Sequence, residues 1–485
     1  MSIIAGYMVP HPPIILPEVG RGEEKKIQRT IDSYRNVAAD IAALEPETIV
    51  ITTPHSVMYS DYNHISPGAR ATGSMAAFNA PQVKIDVDYD QEMVHGICTL
   101  AEQRGLRAGT LGQKDKTLDH ATMIPLYFIE KAYEESAREK NYQVIRVGLS
   151  GQPLIEQYAL GLVISQAAES LGRRTVFVAS GDLSHCCKAD GPYGFHEEGP
   201  VYDSKIMKTM GRGSFGELFD YPEALLEGAE ECGHRSFVIM AGAFDGVAVS
   251  ATQYSHEDVF GVGYGICSFK PLGPDSSRCF GQEYVKRHDA YLAERKAKED
   301  LYVSLARRAL ETYVRDGERI KLEDVGEAAA ASENVGEGSA QSNSVAALSN
   351  TRAGTFVSLH INGVLRGCIG TTGPTKASVG EEIIANAISA ATRDPRFEPV
   401  TEAELPELEY SVDVLGETEP ILSRDELDVK KYGVIVTRGS RSGLLLPNLD
   451  GIRDVDQQIA IAKQKAGIGE NEEVGLERFQ VIRHY

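Results

Sequence analysis

Short β-branched runs alternate with segments of helical periodicity through residues 1–272. The predicted strands are 3–9, 48–53, 83–87, 143–148, 174–179 and 246–252. Helical spacing falls between them at 23–44, 91–104, 124–138, 155–171 and 236–244. This alternation favours an α/β fold with a mainly parallel sheet and flanking helices. We therefore expect one α/β domain over residues 1–272.

A change in composition follows this region. Residues 270–282 are rich in Pro, Gly and Ser, so we assign 273–294 to a linker and 295–485 to a second domain. Residues 327–349 are rich in Ala, Ser, Gly, Asn and Glu, and lack an apolar period, which is typical of a loop or flexible insertion. A long, charged helical stretch is predicted at 284–315, and regular patterns return in strands predicted at 355–361, 409–415, 433–438 and 477–482, and helices at 378–393 and 454–466.

The charge and the cysteines exclude several functional classes. Asp and Glu number 70 against 49 Lys and Arg, a formal charge of −21, which argues against nucleic acid or an anionic membrane as the main partner. No apolar run approaches the ~18–20 residues that span a bilayer, and the first residues lack the pattern of a signal peptide. The seven cysteines have no repeated CxxC spacing. We therefore expect a cytoplasmic protein with reduced thiols.

Three histidines follow predicted strands. His11 comes after strand 3–9, His55 after 48–53, and His185 after 174–179. Because the carboxyl ends of parallel strands form one edge, these side chains are expected to converge there. Imidazole is the commonest metal ligand in proteins. The sequence therefore predicts a shared metal site at this edge.

A late segment, 230–234, offers further ligands. Together with His11 and His55, Glu231 would form a set of two histidine ligands and one carboxylate ligand, which suits non-haem Fe(II). Cys232 and His234 are rival ligands, and a thiolate would favour copper or zinc. A carboxylate before helix 236–244 could instead complement the positive helix end. His120, before another helix, is a candidate substrate contact.

The second domain has one glycine-rich turn, 363–373. Arg366 lies two residues before Cys368, and a neighbouring cation favours a thiolate. A nucleophile, a modification site, a peptide-binding turn and a buried structural cysteine all fit this pattern.

These motifs resemble known families. His11 in Pro-His-Pro-Pro, His55 in Thr-Pro-His-Ser, Asp119-His120, Gly181-Asp-Leu-Ser-His185 and the segment from Glu231 to Gly246 resemble the LigB-type class III extradiol dioxygenases and their Memo branch. The dioxygenase resemblance implies that His11, His55 and Glu231 hold Fe(II), that His185 is the acid/base on a bound catechol, and that His120 lies in the active site. The Memo resemblance implies instead that His185 joins the metal site, with Asp182 and the Cys232–Gly233 pair close by.

Residues 295–485 resemble the AMMECR family. The resemblance rests on Leu365-Arg-Gly-Cys-Ile-Gly370 and Asp394-Pro-Arg-Phe397, and it implies an α+β fold. The fusion of the two domains resembles the AmmeMemoRadiSam set of proteins, which implies a radical-SAM enzyme as a partner.

Together these features predict a dioxygenase-like metalloprotein. Fe(II) would bind O₂ and a catechol-like aromatic substrate, and His185, with an ordinary pKa of ~6.5, would take and return a proton. The alternatives are a Memo-like redox, hydrolytic or small-molecule-binding protein with zinc or copper, and a binding module for the radical-SAM partner that acts through Cys368. The sequence leaves the oligomeric state open.

Overall fold

The computed structural model describes residues 2–112, 117–323, 347–449 and 451–485. The chain forms two compact units, Met1–Arg287 and His288–Tyr485, and the division falls within helix Phe280–Lys298. Residues 273–294, assigned above to a linker, thus contain the end of a strand and most of this helix. Of the insertion expected at 327–349, only 347–349 lie within the described residues.

A six-stranded sheet organises the first unit. The strands of this unit are β1 Ile3–Val9, β2 Thr48–Thr53, β3 Asn63–His64, β4 Arg70–Met75, β5 Ala80–Asp88, β6 Ala108–Gly109, β7 Gln143–Gly148, β8 Thr175–Ser180, β9 Val247–Glu257 and β10 Tyr264–Pro274. The sheet order is β7-β2-β8-β1-β10-β9. The first four strands are parallel, and β10 and β9 are antiparallel at one edge. The predicted α/β class with a mainly parallel sheet is confirmed. The predicted strand 83–87 belongs to β5, which pairs with β4 outside this sheet.

Helices cover both faces of the sheet. The helices of the first unit are α1 Pro17–Gly20, α2 Gln28–Leu44, α3 Gln91–Gln103, α4 His120–Glu135, α5 Leu154–Leu171, α6 Glu198–Arg212, α7 Glu223–Ala229 and α8 His234–Ala243, and α9 Phe280–Lys298 begins in this unit and crosses the division. Helices α2 and α4 pack together on one side, and α3, α5 and α8 pack on the other. Successive residues of β2 serve the two cores in turn, Ile49 and Ile51 on the first side and Val50 on the second. A strand buried on both faces carries apolar residues at successive positions, which is why Ile49, Val50 and Ile51 show no polar alternation.

The strand order determines where the first site lies. β2, β8 and β1 are adjacent and parallel, so their carboxyl ends, at Thr53, Ser180 and Val9, lie side by side at one edge. Ligands of open α/β sheets bind at this edge.

The second unit is α+β, as the AMMECR resemblance implies. Its helices are α10 Leu301–Asp316, α11 Val379–Thr392 and α12 Val455–Lys465; its strands are β11 Thr355–Ile361, β12 Val364–Gly370, β13 Glu409–Leu415, β14 Glu419–Ile421, β15 Gly433–Arg438, β16 Arg441–Leu445, β17 Gly475–Phe479 and β18 Val481–His484. Two antiparallel sheets have the orders β12-β11-β13-β18 and β14-β17-β15-β16. Helices α10 and α11 pack on the first sheet and α12 on the second. Among the described residues of the chain, no helix combines the length and the apolar character that crossing a lipid bilayer requires.

Candidate metal centre

Three potential metal ligands meet at the carboxyl edge of the parallel strands. His11, His55 and Cys232 each offer one ligand atom, and the three atoms lie within 4.8 Å of one another. The Nε2 atoms of the two histidines are 3.1 Å apart, and Cys232 Sγ is 3.6 Å from His11 Nε2. His11 is buried, Cys232 is half-buried and His55 is exposed. The group therefore has a fixed inner side and an outer side that a small molecule can reach.

Two glycines bring the cysteine to the sheet edge. Cys232 lies in the turn between α7 and α8, and the loop after β8 begins at Gly181. A Cβ atom on Gly181 would lie 2.2 Å from the Cα atom of Gly233. Because neither residue has a side chain, the two backbones can touch, and the turn carries Cys232 against His11.

Ser180 fixes the tautomer of His11. The Ser180 hydroxyl donates its single proton to the Ala121 carbonyl at 2.7 Å. At 3.1 Å from His11 Nδ1 it must therefore accept, so Nδ1 carries the ring proton and Nε2 carries the lone pair. The lone pair then faces His55 and Cys232. A metal-binding histidine typically has its other nitrogen held in this way.

Asp182 holds the backbone of the same residue. Its Oδ1 accepts a hydrogen bond from the His11 backbone N–H at 2.7 Å, and its Oδ2 is 4.0 Å from His11 Nε2. Burial raises the pKa of Asp182 to about 7. Desolvation therefore disfavours the anionic form of this carboxyl group.

His120 lies over the exposed histidine. Its ring stacks on that of His55 with centroids 4.3 Å apart, and it begins helix α4. Asp119 caps this helix through the Thr122 N–H and also accepts a bond from the Thr53 hydroxyl at 2.7 Å. Burial, followed by the neighbouring His55, lowers the pKa of His120 to about 4.

His185 is a neighbour of the three-ligand group and not one of its members. Its ring stacks on Tyr193 at 5.0 Å, and its backbone N–H donates to Ala229 O. Burial, followed by the repulsion of His55, lowers the pKa of His185 below its ordinary value. Burial also lowers the pKa of His11 well below its ordinary value. Both imidazoles are therefore neutral near pH 7, which is the form that binds a metal or accepts a proton.

Glu231 and His234 are oriented differently from the sequence expectation. The Glu231 carboxylate accepts a hydrogen bond from the His234 backbone N–H at 2.5 Å, and desolvation raises its pKa to about 7. His234 is fully buried, with Nε2 on Leu218 O at 2.9 Å and Nδ1 at 3.3 Å from the Tyr202 hydroxyl. Because α8 begins at His234, Glu231 turns toward the free N–H groups of its first turn, and Cys232 is the residue that faces His11.

Sequence reasoning missed Ser180 and the Gly181–Gly233 contact. Ser180 ends a buried strand inside the Ser-Gly-Asp-Leu-Ser-His motif, and a hydroxyl at that point was the available signal. The contact between Gly181 and Gly233 joins residues that are distant in sequence, so no local sequence pattern predicts it.

Residues 363–373, expected to form a glycine-rich turn, lie mostly in strand β12, and the contacts of Arg366 and Cys368 also differ from expectation. Arg366 forms a two-bonded pair with Glu404, at 2.6 and 3.2 Å, and not with Cys368. The Cys368 backbone N–H donates to Asp394, its sulfur accepts from Ser358 at 3.2 Å, and burial raises its pKa. The thiol form of Cys368 is therefore favoured, because desolvation outweighs the charges around it.

Comparison with known proteins gives two family matches. Residues 5–267 match the model described as the catalytic LigB subunit of aromatic ring-opening dioxygenase, and residues 303–484 match the AMMECR1 model. Protein CA_C1420 of Clostridium acetobutylicum is 38% identical over 491 residues, covering 100% of this chain and 99% of that protein. A Thermotoga maritima protein is 46% identical over 185 residues, which are 38% of this chain and 96% of that protein.

Two solved structures are more loosely similar. Protein PH0010 from Pyrococcus horikoshii is 29% identical with a TM-score of 0.32, covering 39% of this chain and 90% of that one. Protein JW3007 from Escherichia coli K12 is 13% identical with a TM-score of 0.35, covering 55% of this chain and 99% of that one.

Proposed function

The chain belongs to the family of the catalytic LigB subunit of aromatic ring-opening dioxygenases, fused to an AMMECR1 region, and from this membership we propose a metal-dependent redox function for its first unit. The metal ligands would be His11, His55 and Cys232. The substrate would be a small aromatic molecule with a dissociable hydroxyl group.

The donor set carries this proposal. Two imidazoles and a thiol lie within 4.8 Å of one another, and the Ser180 hydroxyl leaves the His11 Nε2 lone pair directed at the group. Thiolate and imidazole ligands together suit copper or zinc better than Fe(II). The proposed redox function requires copper, which would supply electron transfer, whereas zinc would supply Lewis-acid chemistry alone.

The surrounding side chains suit an aromatic ligand. Phe78 and His55 flank the His120 ring, with centroids 5.2 and 4.3 Å away, and form an aromatic wall beside the group. His185, neutral at pH 7, is available to accept the proton of a substrate hydroxyl and to return it later. Its place beside Tyr193, and outside the ligand group, leaves it free for that role.

A second candidate is an extradiol dioxygenase with Fe(II) and a catechol substrate. The LigB family match favours it. Glu231 would then replace Cys232 as the third ligand, which requires its carboxylate to leave the His234 N–H. Under either candidate, we propose joint action with a radical-SAM partner, which the resemblance of the fused domains implies.

The full-length protein, purified without oxygen, distinguishes the two candidates. Copper, zinc and Fe(II) affinities are measured for Cys232→Ser and for Glu231→Gln. We expect Cys232→Ser to weaken copper and zinc by more than about 100-fold, since even outer hydrogen-bond partners of metal ligands are worth roughly 10–100-fold. Glu231→Gln should leave these affinities nearly unchanged. If Glu231→Gln weakens Fe(II) binding and Cys232→Ser does not, and if the protein takes up oxygen with a panel of catechols, the dioxygenase is favoured.

One result would remove both candidates. If His11→Ala binds as many equivalents of metal as the wild type, with unchanged affinity and a wild-type circular dichroism spectrum, the group is not a metal site.

A further inference from the structure

A second group of metal-ligand side chains lies in the first unit, outside the group described above. Cys186, His196 and Glu230 each offer one ligand atom, and these three atoms also lie within 4.8 Å of one another. We propose that they form a second metal site, for zinc or a divalent cation of similar softness. This inference does not depend on the proposed redox function.

Backbone hydrogen bonds hold the three residues together without any ion. The His196 N–H donates to Cys186 O at 3.1 Å. The end of α7 is tied to the same loop, because Ala229 O accepts from the His185 N–H at 3.0 Å and from the Ser184 hydroxyl at 2.8 Å. Glu230 follows directly. The ligands are therefore placed by the fold, and a cation would not have to order them first.

His196 is held in the tautomer that binds a metal. Its Nδ1 lies 2.9 Å from the Gly228 carbonyl oxygen, which can only accept a hydrogen bond. Nδ1 therefore carries the proton, and the lone pair is on Nε2. A backbone carbonyl behind one ring nitrogen is the usual arrangement for a histidine that binds a metal through the other.

The donor chemistry selects the class of cation. A thiolate and a carboxylate together balance the charge of a divalent ion, and thiolate, imidazole and carboxylate are the three ligand types that zinc takes in proteins. Cys186 is buried, whereas His196 and Glu230 are exposed. One side of the ion would thus face solvent, and a water molecule would complete four-coordination.

Occupancy would also connect this site to the first group. His185 precedes Cys186 in the chain, and Cys232 follows Glu230 by two positions. A cation that binds Cys186 and Glu230 therefore fixes the segments that carry His185 and Cys232, and this consequence alone rests on the proposed function.

Zinc stoichiometry tests the proposal. The metal-free full-length chain is titrated with Zn²⁺ in competition with a chromophoric chelator. We expect the wild type to bind two equivalents of Zn²⁺ tightly, and His196→Ala and His55→Ala to bind one equivalent each. The matched control is His95→Ala, an exposed histidine on α3, which should keep two.

Cobalt spectroscopy shows which of the two sites binds each equivalent of metal. Co²⁺ bound to a thiolate absorbs in the near ultraviolet. His196→Ala and Glu230→Gln should each remove the part of this absorption that Cys186 provides and leave the part that Cys232 provides. Both substitutions are at exposed side chains, so folding should persist, and circular dichroism checks this.

The outcomes separate the two sites. Two equivalents retained in both His196→Ala and Glu230→Gln would overturn the second site, as would a single wild-type equivalent that His55→Ala removes. If His196→Ala removes one equivalent and His55→Ala removes none, the second site stands and the first fails.

Discussion

Titratable groups that are shielded from solvent have different surroundings near His11 and near Cys368. Near Cys368, carboxylates are paired with arginines: Asp394 with Arg396 and Glu404 with Arg366. Near His11, Asp119 has Arg146 at 3.5 Å, but desolvation dominates at Asp182 and Glu231 and raises their pKa values to about 7. Paired charges are typical of a stabilised framework. Desolvated groups whose pKa values are strongly shifted lower the stability of the folded protein and are typical of functional sites.

The largest expected effect is the decrease in the free energy of unfolding at acid pH that the buried His234, close to His11, should cause. Burial lowers the pKa of His234 to about 4, whereas the unfolded chain has an ordinary value near 6.5. Between these pH values the unfolded state binds more protons, so the free energy of unfolding falls as the pH falls. At roughly 1.4 kcal/mol per pH unit, His234 alone should account for about 3 kcal/mol by pH 4.

His234→Gln isolates this contribution, because glutamine can still donate to Leu218 O. Urea unfolding of the metal-free protein from pH 7 to pH 4 should show a flatter profile for the variant. Asp182 and Glu231 act with the opposite sign in this range, but they are present in both proteins and cancel in the difference. Parallel profiles would contradict the comparison.

The paired region should show a charge-dependent loss instead. Asp394 accepts bonds from the Cys368 N–H at 2.9 Å and from the Arg396 guanidinium at 2.7 and 2.9 Å, and this guanidinium holds its pKa well below the ordinary value. Its contribution to stability is therefore complete above the unfolded pKa and is lost as the pH falls below it. Asp394→Asn should cost about 2 kcal/mol at pH 7, since hydrogen bonds to charged groups are worth ~1.5–3 kcal/mol.

Denaturation at pH 7 and at pH 3 measures this change, and the cost should shrink at pH 3. Asp456→Asn, at the exposed pair with Arg424, is the matched control, with a cost under ~1 kcal/mol. An equal cost for Asp394→Asn at both pH values would mean that packing, and not charge, explains it.

How much the sequence could predict differs between strands and turns. The places of His11 and His55 follow from the alternation of strands and helices, because parallel strands end at one edge. The choice between Glu231 and Cys232 could not be predicted, since neighbouring residues in a turn face different ways and only the start of α8 at His234 decides which one faces inward. For a similar reason, the Pro- and Gly-rich composition of 270–282 did not reveal that helix α9 begins at Phe280.

Ser180 offers a smaller and more specific test of the site near His11. Ser180→Ala leaves His11 Nδ1 without its acceptor, so the ring loses its fixed tautomer and orientation. Metal affinity should fall about tenfold, or ~1.4 kcal/mol, the lower end expected for such a partner. Ser358→Ala, which removes the hydroxyl on Cys368 Sγ, is the matched control and should leave metal affinity unchanged. Equal affinities for wild type and Ser180→Ala would show that the hydroxyl does not orient His11.

The smallest effect is expected at the unpaired carboxyl group itself. Burial raises the pKa of Asp182 to about 7, so its neutral acid form is far more accessible than that of an exposed carboxyl group. Asp182→Asn keeps an oxygen for the His11 N–H and replaces the acid proton with an amide donor. The metal-free protein should therefore lose less than ~1 kcal/mol at pH 7, in contrast to Asp394→Asn. If urea unfolding gives equal losses for the two variants, Asp182 is an anion held by a partner like Asp394, and the distinction between the two regions fails at the residue on which it most depends.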